Sequence, residues 1–179
     1  SQYVKNTALM NLFGEALRRE TPALLKNNIK LVVAGDVSRF SASLQKDIDE
    51  AQAATLDCTG MLLQICANYG GRWDIAMAAR ALALKASMGL VDPQSIDEST
   101  IGSYLNVPDD VDLLIRTGGE QRVSNFLLWQ SAYSEIWFTD VLWPDFTEQT
   151  LEQALTFFAG RKRRFGGLPD EAGEDDHAG

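Results

Sequence analysis

Four short apolar runs, separated by longer segments with helical spacing, constrain the fold of this chain more than any other feature. The runs are "IKLVVAGD" at 29–36, "MLLQICANY" at 61–69, "VDLLI" at 111–115 and "EIWFTD" at 135–140. Strands that are nearly all apolar are typical of a parallel sheet whose two faces are covered by helices. The pattern therefore predicts an α/β fold with a single, mostly parallel sheet flanked by helices.

Apolar residues recur at helical spacing between and around these runs, and they predict four helices before the third strand. The first of them is either one amphipathic helix or two short ones, because Gly14 and Pro22 are weak points in it. An alanine-rich composition makes the third the strongest helix former. The predicted helices are 7–26, 41–54, 73–88 and 95–105.

Two further helices are predicted from their capping signals. Ser124 is a favourable N-cap residue for a helix that runs to about Tyr133. Asp145 with Glu148 resembles a capping box, and the Gly-Gly pair at 166–167 predicts the end of that final helix.

Composition narrows the classes of protein to which the chain can belong. With 179 residues, 45% of them hydrophobic and 23% charged, we expect one domain over 1–167 and a disordered acidic tail at 168–179. The formal net charge of −9 argues against a general nucleic-acid binder, which needs a continuous field of cations. Much of that charge comes from the tail, so a local basic site remains possible on the body.

The histidine and the cysteines exclude several kinds of chemistry. His177 is the only histidine and lies in the tail, so histidine-based nucleophilic machinery and histidine-built metal sites are not expected. Cys58 and Cys66 have no metal or redox spacing, which favours a reducing compartment. Without a membrane span or a signal peptide in the sequence, we expect a soluble, cytoplasmic protein.

One loop carries the residue types of an anion site. Ligands of parallel sheets sit at the carboxyl ends of the strands, and Arg116 directly follows the third run. Gly118 and Gly119 permit a sharp turn, Arg122 returns toward the same edge, and Ser124 presents a hydroxyl at a predicted helix start. Arginines and helix starts both bind phosphate, so the loop predicts a phosphate or diphosphate site.

The same residues have structural alternatives. Arg116 and Arg122 could instead form salt bridges with Glu120 or Asp112, and no standard phosphate fingerprint is present to decide between the two interpretations. Glu135 heads the fourth run and is either a magnesium ligand near a diphosphate or an ordinary strand-edge carboxylate. The role of the arginines stays open at the level of spacing, whereas for Glu135 the spacing alone favours the strand-edge carboxylate.

Two other charged groups favour structural roles. Arg72 and Asp74, in "NYGGRWD", are interpreted as an ion pair that anchors a turn. The basic run at 161–164 is typical of a solvated helix face, although it could close on a phosphate or on a second subunit.

Three segments, taken together, resemble the cis-prenyltransferase family, in particular its bacterial undecaprenyl diphosphate synthases. They are "ANYGGRWDI", "DLLIRTGGEQRVSNFLLWQSAYSEIWFTDVLWPDF" and "RKRRFGG", and the resemblance runs from about residue 8 to 167. It implies repeated condensation of isopentenyl diphosphate onto farnesyl diphosphate, with Mg²⁺, in a homodimer. The product would be undecaprenyl diphosphate, a membrane-partitioning carrier precursor for peptidoglycan synthesis.

The resemblance also assigns roles to individual residues. It implies that Arg116, Arg122, Val123 and Ser124 bind isopentenyl diphosphate and that Glu135 is a magnesium ligand. It does not assign a catalytic residue within this chain.

An apolar tunnel for the growing chain is a further implication of the resemblance. Met61 matches a position at the tunnel end, so a bulky side chain there is expected to limit product length, and Met61→Ala to lengthen the products. Gln121 stands where some members carry a metal-assisting histidine, which leaves that auxiliary contact open.

The family's amino-terminal segments, including "DGNGRWA" with its essential aspartate and the later "SENW", have no counterpart in this sequence. We therefore expect these 179 residues alone to be inactive and to expose an unpaired sheet edge. Two alternatives are a non-catalytic partner subunit of a prenyltransferase and an unrelated anion-binding α/β domain.

Overall fold

The computed structural model describes residues 2–161, including the side chains of 7–161, and in this range helices alternate with strands. The α-helices are α1 (Gln2–Lys26), α2 (Ala42–Ala54), α3 (Gly71–Ser87), α4 (Glu98–Ser103) and α5 (Glu148–Ala159). The strands are β1 (Lys30–Ala34), β2 (Leu62–Cys66), β3 (Leu113–Arg116) and β4 (Glu135–Phe138). Short 3₁₀ helices lie at Val37–Arg39, Pro93–Ser95 and Trp143–Asp145. Within residues 2–161, no helix combines the length and the apolar character that a bilayer crossing requires.

All strand pairing in the described part of the chain is parallel. β1 pairs with β2 in the register Lys30↔Leu62 to Ala34↔Cys66. β3 pairs with β4 from Leu113↔Glu135 to Arg116↔Phe138. The predicted α/β class with parallel strands and flanking helices is confirmed, and the four strands are hydrogen-bonded as two two-stranded sheets.

The described residues group into two compact units, each of which contains one of the strand pairs. The first unit comprises 2–109 and Ser124–Trp129, and the second comprises Asp110–Val123 and 130–161. The single domain expected over 1–167 stays a prediction, and the acidic tail at 168–179 lies outside the described residues.

The core of the first unit forms where α1 and α2 pack against β1. Its buried side chains are Leu17, Leu31, Leu44, Ile48 and Ala51. α1 is continuous through both predicted weak points. A glycine at position 14 allows α2 to approach closely, because a Cβ there would lie 2.8 Å from Oδ2 of Asp47 on α2. That carboxylate also forms an ion pair with Arg18, which joins the two helices.

Side chains at the carboxyl-terminal end of α2 accept hydrogen bonds from the edge of β1 that faces away from β2. The Leu31 N–H donates to Oγ1 of the fully buried Thr55 at 3.0 Å. The Val33 N–H donates to Oε1 of Gln52 at 2.8 Å. Because two of its amide groups have side-chain partners, this edge of β1 is not an open template for another strand. The described part of the chain gives β2 no strand partner other than β1.

Thr55→Val is expected to lower the free energy of unfolding by about 1–2 kcal/mol, because a buried Leu31 N–H loses its acceptor while side-chain volume is conserved. Urea denaturation measures the effect. Thr156→Val, at an exposed position of α5, is the control and should change stability little. Equal stabilities for Thr55→Val and the unmodified chain would show that this hydrogen bond contributes nothing.

The amino-terminal cap of α5 differs from the one predicted. The capping box is formed by Thr147 and Thr150, whose side chains each accept from the other's backbone N–H at 3.3 Å. The prediction of a box from Asp145 and Glu148 is wrong. Asp145 belongs to the preceding 3₁₀ helix, whereas Thr147 has the extended backbone that an N-cap requires.

The carboxyl end of α5 also falls earlier than predicted. The helix ends at Ala159, and the Gly160 N–H bonds the carbonyl of Thr156 at 3.2 Å. The predicted end at 166–167 is therefore wrong, because Gly160 already closes the last turn. Residues 162–164 of the basic run and the glycines at 166–167 lie outside the described residues.

Candidate functional site

Arg116 is the last residue of β3 and has no carboxylate partner in the described part of the chain. Its Nη1 donates to the backbone carbonyl of Arg122 at 2.7 Å. The residue is half-buried, and none of the ion pairs among the described residues includes it. A partly desolvated guanidinium without a counter-ion attracts an anion more strongly than a paired one.

The loop after Arg116 is folded back by two glycines. Gly118 and Gly119 have φ values of 86° and 81°, in the left-handed region that glycine adopts without strain. Their N–H groups donate to the carbonyls of Val141 and Thr139, at 3.0 Å each, just beyond the end of β4. This double anchor explains how Arg122 returns to within hydrogen-bonding distance of Arg116.

Arg122 is exposed and forms an ion pair with Glu120. The side chains are 65% and 52% exposed, and such solvated pairs contribute only about 0–1 kcal/mol. Arg122 thus forms one of the two salt bridges that the structural alternative named, and its role as a diphosphate ligand stays a prediction. A pair this weak can be exchanged for a more highly charged anion at little cost.

Ser124 belongs to the first unit and does not begin a helix, so the predicted capped helix to Tyr133 is wrong. Residues 124–133 form turns and bends. Ser124, Asn125 and Leu127 have φ values of 51°, 62° and 45°, which a right-handed helix cannot contain. The expected phosphate site on a helix N-terminus is therefore absent at Ser124, although its exposed hydroxyl makes no hydrogen bond within residues 7–161.

Asn125 instead caps a helix from a distant part of the sequence. Its backbone carbonyl accepts the Gly71 N–H at 2.6 Å, and its side-chain Oδ1 accepts the Arg72 N–H at 2.9 Å. These are the first two residues of α3, whose own N-cap residue, Gly70, has no side chain to offer. This capping role was not predicted from the sequence. The Gly-Gly pair at the start of α3 was its signal, since it indicates close backbone approach.

The carboxylate of Asp74 is buried among polar partners and does not pair with Arg72. Asp74 is 1% exposed. Its Oδ2 accepts the Tyr69 hydroxyl at 2.7 Å, and its Oδ1 accepts the Asn106 N–H at 2.7 Å and the Asn106 side-chain amide at 2.9 Å. The predicted Arg72–Asp74 ion pair is wrong because residues two apart on a helix do not face each other, and Arg72 stays exposed.

Glu135 begins β4, and its carboxylate already has a cationic partner. Oε2 accepts from Nε of Arg161 at 2.9 Å, while the Arg161 guanidinium lies 5.6 Å from the ring centroid of Phe157. The Glu135 side chain is only 17% exposed. Sequence spacing gave no indication of this pair, because its members are 26 positions apart.

A carboxylate oxygen suits a hard divalent cation, so Glu135 is chemically able to provide one ligand. No group of three or more His, Cys, Asp or Glu side chains within residues 7–161 could hold a metal ion. Magnesium is commonly held by one or two carboxylates together with substrate phosphates. Glu135 fits that arrangement as a contributor, and the described residues do not form a closed protein site.

The remaining predicted residues lie in different environments. Met61 directly precedes β2 and is 61% exposed. Gln121 is exposed and Val123 is half-buried.

Burial, together with the negative charge of Asp74, raises the pKa of the Cys66 thiol, so this cysteine stays protonated and unreactive at neutral pH.

The second unit thus defines an α/β protein with a cationic loop at the carboxyl end of a parallel strand pair, a known arrangement for binding anions. A sequence profile described as "Putative undecaprenyl diphosphate synthase" matches residues 3–166. The chain belongs to this cis-prenyltransferase family.

Curated relatives and solved structures agree with the profile. The ditrans,polycis-undecaprenyl-diphosphate synthase ((2E,6E)-farnesyl-diphosphate specific) of Salmonella paratyphi A is 52% identical over 171 residues, covering 94% of this chain and 67% of the relative. The protein of that name from Escherichia coli K12 is 52% identical over 163 residues, covering 90% and 64%. The chain thus spans about two thirds of the length of these relatives.

Two solved structures show the same fold. Lavandulyl diphosphate synthase from Lavandula x intermedia, in complex with dimethylallyl diphosphate, matches with a TM-score of 0.86 and 39% identity, covering 91% of this chain and 72% of that one. A probable undecaprenyl diphosphate synthase from Campylobacter jejuni matches with a TM-score of 0.81 and 30% identity, covering 90% and 74%.

Proposed function

We propose that this protein takes part in cis-prenyl transfer, the repeated condensation of isopentenyl diphosphate onto farnesyl diphosphate to give undecaprenyl diphosphate. The described residues would provide the site for isopentenyl diphosphate. The names of the relatives support the reaction and the farnesyl substrate. The family's polyprenyl product serves peptidoglycan synthesis, so a role in cell-wall formation is part of the proposal.

The observation that carries the proposal is that the guanidinium of Arg116 forms no ion pair within residues 7–161. It lies at the carboxyl end of a parallel strand, where α/β proteins bind their ligands, and the glycine turn returns Arg122 beside it. A diphosphate presents several oxygens to such a pair of arginines. Each charge-assisted hydrogen bond contributes about 1.5–3 kcal/mol, so two arginines are sufficient to hold it against the protein's negative net charge.

Each predicted residue has a distinct part in this proposal. Arg116 and Arg122 neutralise the diphosphate, and the resemblance to the family adds Val123 and Ser124 as further substrate-binding residues. With the diphosphate fixed, the isopentenyl double bond is oriented for reaction, and orientation is a large source of rate enhancement.

Glu135 is the residue that we propose as a contact for magnesium. When bound, Mg²⁺ would neutralise diphosphate charge and stabilise a leaving diphosphate. The role of Glu135 would be to hold the ion at one oxygen, and Arg161 would have to release that oxygen first. Arg161 pairs with this half-buried carboxylate in the structure.

Met61 is proposed as the residue that limits product length at the end of an apolar tunnel. Its exposed side chain is free to contact a hydrocarbon chain. Each methylene group buried against such a surface contributes about 0.8 kcal/mol, so a product gains affinity as it grows.

The proposal also includes a homodimer, a cytoplasmic location and a peripheral association with membranes through the apolar product.

A non-catalytic partner subunit of a prenyltransferase is the second candidate. Such a scaffold needs no diphosphate site, and the lack of an ion-pair partner for Arg116 among the described residues speaks against it. Binding of isopentenyl diphosphate to the purified 179-residue chain separates the two functions.

Arg122→Ala is expected to weaken isopentenyl diphosphate binding about 10-fold or more, because one charge-assisted contact is lost. Isothermal titration calorimetry measures the change. Glu120→Gln, which removes only the carboxylate partner of Arg122, is the matched control and should bind equally well or slightly better. If Arg122→Ala binds as tightly as the unmodified chain, Arg122 has only the structural role of pairing with Glu120.

A further inference from the structure

The turn that follows β4 carries two adjacent apolar side chains in solvent. Leu142 is 58% exposed and Trp143 is 71% exposed, and no other large apolar side chain within residues 7–161 is as exposed as this tryptophan. An indole ring has a large apolar area, so leaving it in solvent forgoes a large stabilisation. Adjacent apolar side chains at the surface indicate a contact site more strongly than a single one does.

The indole ring of Trp143 is held in place by its own turn. Pro144 lies in the first turn of the 3₁₀ helix Trp143–Asp145, where it restricts the backbone. The Phe146 N–H donates to the Trp143 carbonyl at 3.1 Å. The ring of Phe146 stacks on the indole, with centroids 5.3 Å apart and an interplanar angle of 29°. Phe146 thus supports one face of the indole, and the rest of the ring stays accessible to a ligand.

Backbone hydrogen bonds connect this turn to the anion loop, which comprises residues 116–122. The Thr139 N–H donates to the Arg116 carbonyl at 3.0 Å. Further along, the Gly118 N–H donates to the Val141 carbonyl at 3.0 Å. Trp143 is two positions after Val141, so the Cα atoms of these two residues are within about 8 Å of each other. All of these residues belong to the second unit, so the tryptophan and the anion loop are close neighbours within it.

A prenyl diphosphate has a charged part and an apolar part that are joined at one ester oxygen. When the diphosphate is bound by Arg116 and Arg122, the carbon chain begins within a few bonds of the two guanidinium groups. Guanidinium groups and backbone N–H groups bind oxygen atoms and offer nothing to a hydrocarbon. An exposed aromatic ring beside the loop provides the apolar surface that the carbon chain requires.

We propose that Trp143 is a specificity residue: its indole ring packs against the isopentenyl chain of a ligand whose diphosphate is bound by Arg116 and Arg122. This inference rests on the proposed function, which supplies the diphosphate site. It adds the contact that distinguishes a prenyl diphosphate from other diphosphate esters. The arginines determine the affinity for the charged group, and Trp143 determines which ester is preferred. Because the stacked ring is ordered before binding, little side-chain entropy is lost on association.

A comparison of two ligands of equal charge tests the proposal. Isopentenyl diphosphate and methyl diphosphate share the same charged group and differ by four carbon atoms, which the proposal places against Trp143. Calorimetry with the purified 179-residue chain measures both affinities at fixed ionic strength. We expect isopentenyl diphosphate to bind about 5- to 30-fold more tightly than methyl diphosphate, as partial burial of four carbon groups predicts.

Trp143→Ala is expected to reduce this preference to less than about threefold, while methyl diphosphate binds within about twofold of its original affinity. Arg122→Ala should give the opposite result, because it weakens both ligands by about 10-fold or more and leaves the preference unchanged. Leu90→Ala, at a position of the first unit that is 65% exposed, is the control and should bind both ligands normally. A loss confined to the longer ester is an effect that a purely structural role of Trp143 would not produce.

A second variant and a fluorescence measurement keep the test independent of the folding of Trp143→Ala. Trp143→Phe retains an aromatic ring, so it should fold even if the alanine variant does not, and we expect an intermediate preference between the two esters. In the unmodified chain, isopentenyl diphosphate should protect part of the emission of the four tryptophans from quenching by acrylamide. Methyl diphosphate should protect less, and Trp143→Phe should abolish the difference between the two ligands.

The specificity role and the proposed function fail in different ways. An unchanged preference in Trp143→Ala, or an equal loss for both ligands, would overturn the specificity role and leave the proposed function intact. Equal binding of the two esters by the unmodified chain would do the same. A variant that keeps the preference but changes from dimer to monomer in sedimentation would assign Trp143 to an interface between copies instead. If the unmodified chain binds neither ligand, the proposed function fails, and the specificity role fails with it.

Discussion

Arg116→Ala is expected to weaken isopentenyl diphosphate binding by about 10- to 100-fold, the largest effect of any single substitution in the site. Arg116 is half-buried, and no carboxylate within residues 7–161 forms an ion pair with it, so a diphosphate would not have to displace one of these carboxylates. Loss of a charged hydrogen bond of about 1.5–3 kcal/mol gives that factor. Titration calorimetry at fixed ionic strength measures it.

Two variants control for charge and for geometry. Arg80→Ala removes an equal charge from an exposed position of α3 and should leave binding unchanged apart from a small long-range effect. Arg116→Lys keeps the charge but loses the bidentate fork, and an intermediate affinity is expected. Wild-type affinity for Arg116→Ala would exclude this residue from the site and remove the main support for the proposed function.

Asp74→Ala is expected to lower the free energy of unfolding by about 3–5 kcal/mol, the largest stability effect predicted here. The carboxylate is 1% exposed and accepts from the Tyr69 hydroxyl and from two N–H groups of Asn106. Removing it takes the acceptor from three donors at once, and each hydrogen bond to a charged group contributes about 1.5–3 kcal/mol. Urea denaturation followed by tryptophan fluorescence measures the loss.

A conservative substitution of Asp74 and a substitution at an exposed position serve as controls. Asp74→Asn keeps one carbonyl oxygen for Asn106 and should lose less than half as much stability. Asp49→Ala, at an exposed position of α2, should be nearly neutral. A loss below about 1 kcal/mol for Asp74→Ala would mean that the buried polar cluster does not hold α3 in place.

The sequence predicted the strands and most helices because their signal is local. Apolar runs and helical periodicity located all four strands to within a few residues, and α2 and α3 fell where expected. Arg116 could be found in the same way, because its position at the end of a strand is visible in the chain itself. The separation of the strands into two pairs was not visible, since periodicity does not specify which strands are neighbours.

The incorrect predictions share a physical cause. In each case the side chain contacts a residue that lies far away in the sequence. The segment after Ser124 has helical capping chemistry, yet Asn125 is used to cap α3, 53 positions away. Asp74 was expected to pair with its sequence neighbour Arg72, whereas its partners include Asn106, 32 positions away. Glu135 likewise forms an ion pair with the distant Arg161. In each case a tertiary partner overrode the local preference.

One titration tests the central claim most directly. Isopentenyl diphosphate is titrated into the unmodified 179-residue chain with and without Mg²⁺, and isopentenyl alcohol is the control. The account predicts saturable binding at one site per chain and no detectable binding of the alcohol, because the diphosphate carries the affinity. Absence of saturable binding at millimolar ligand, or equal binding of the alcohol, would contradict it.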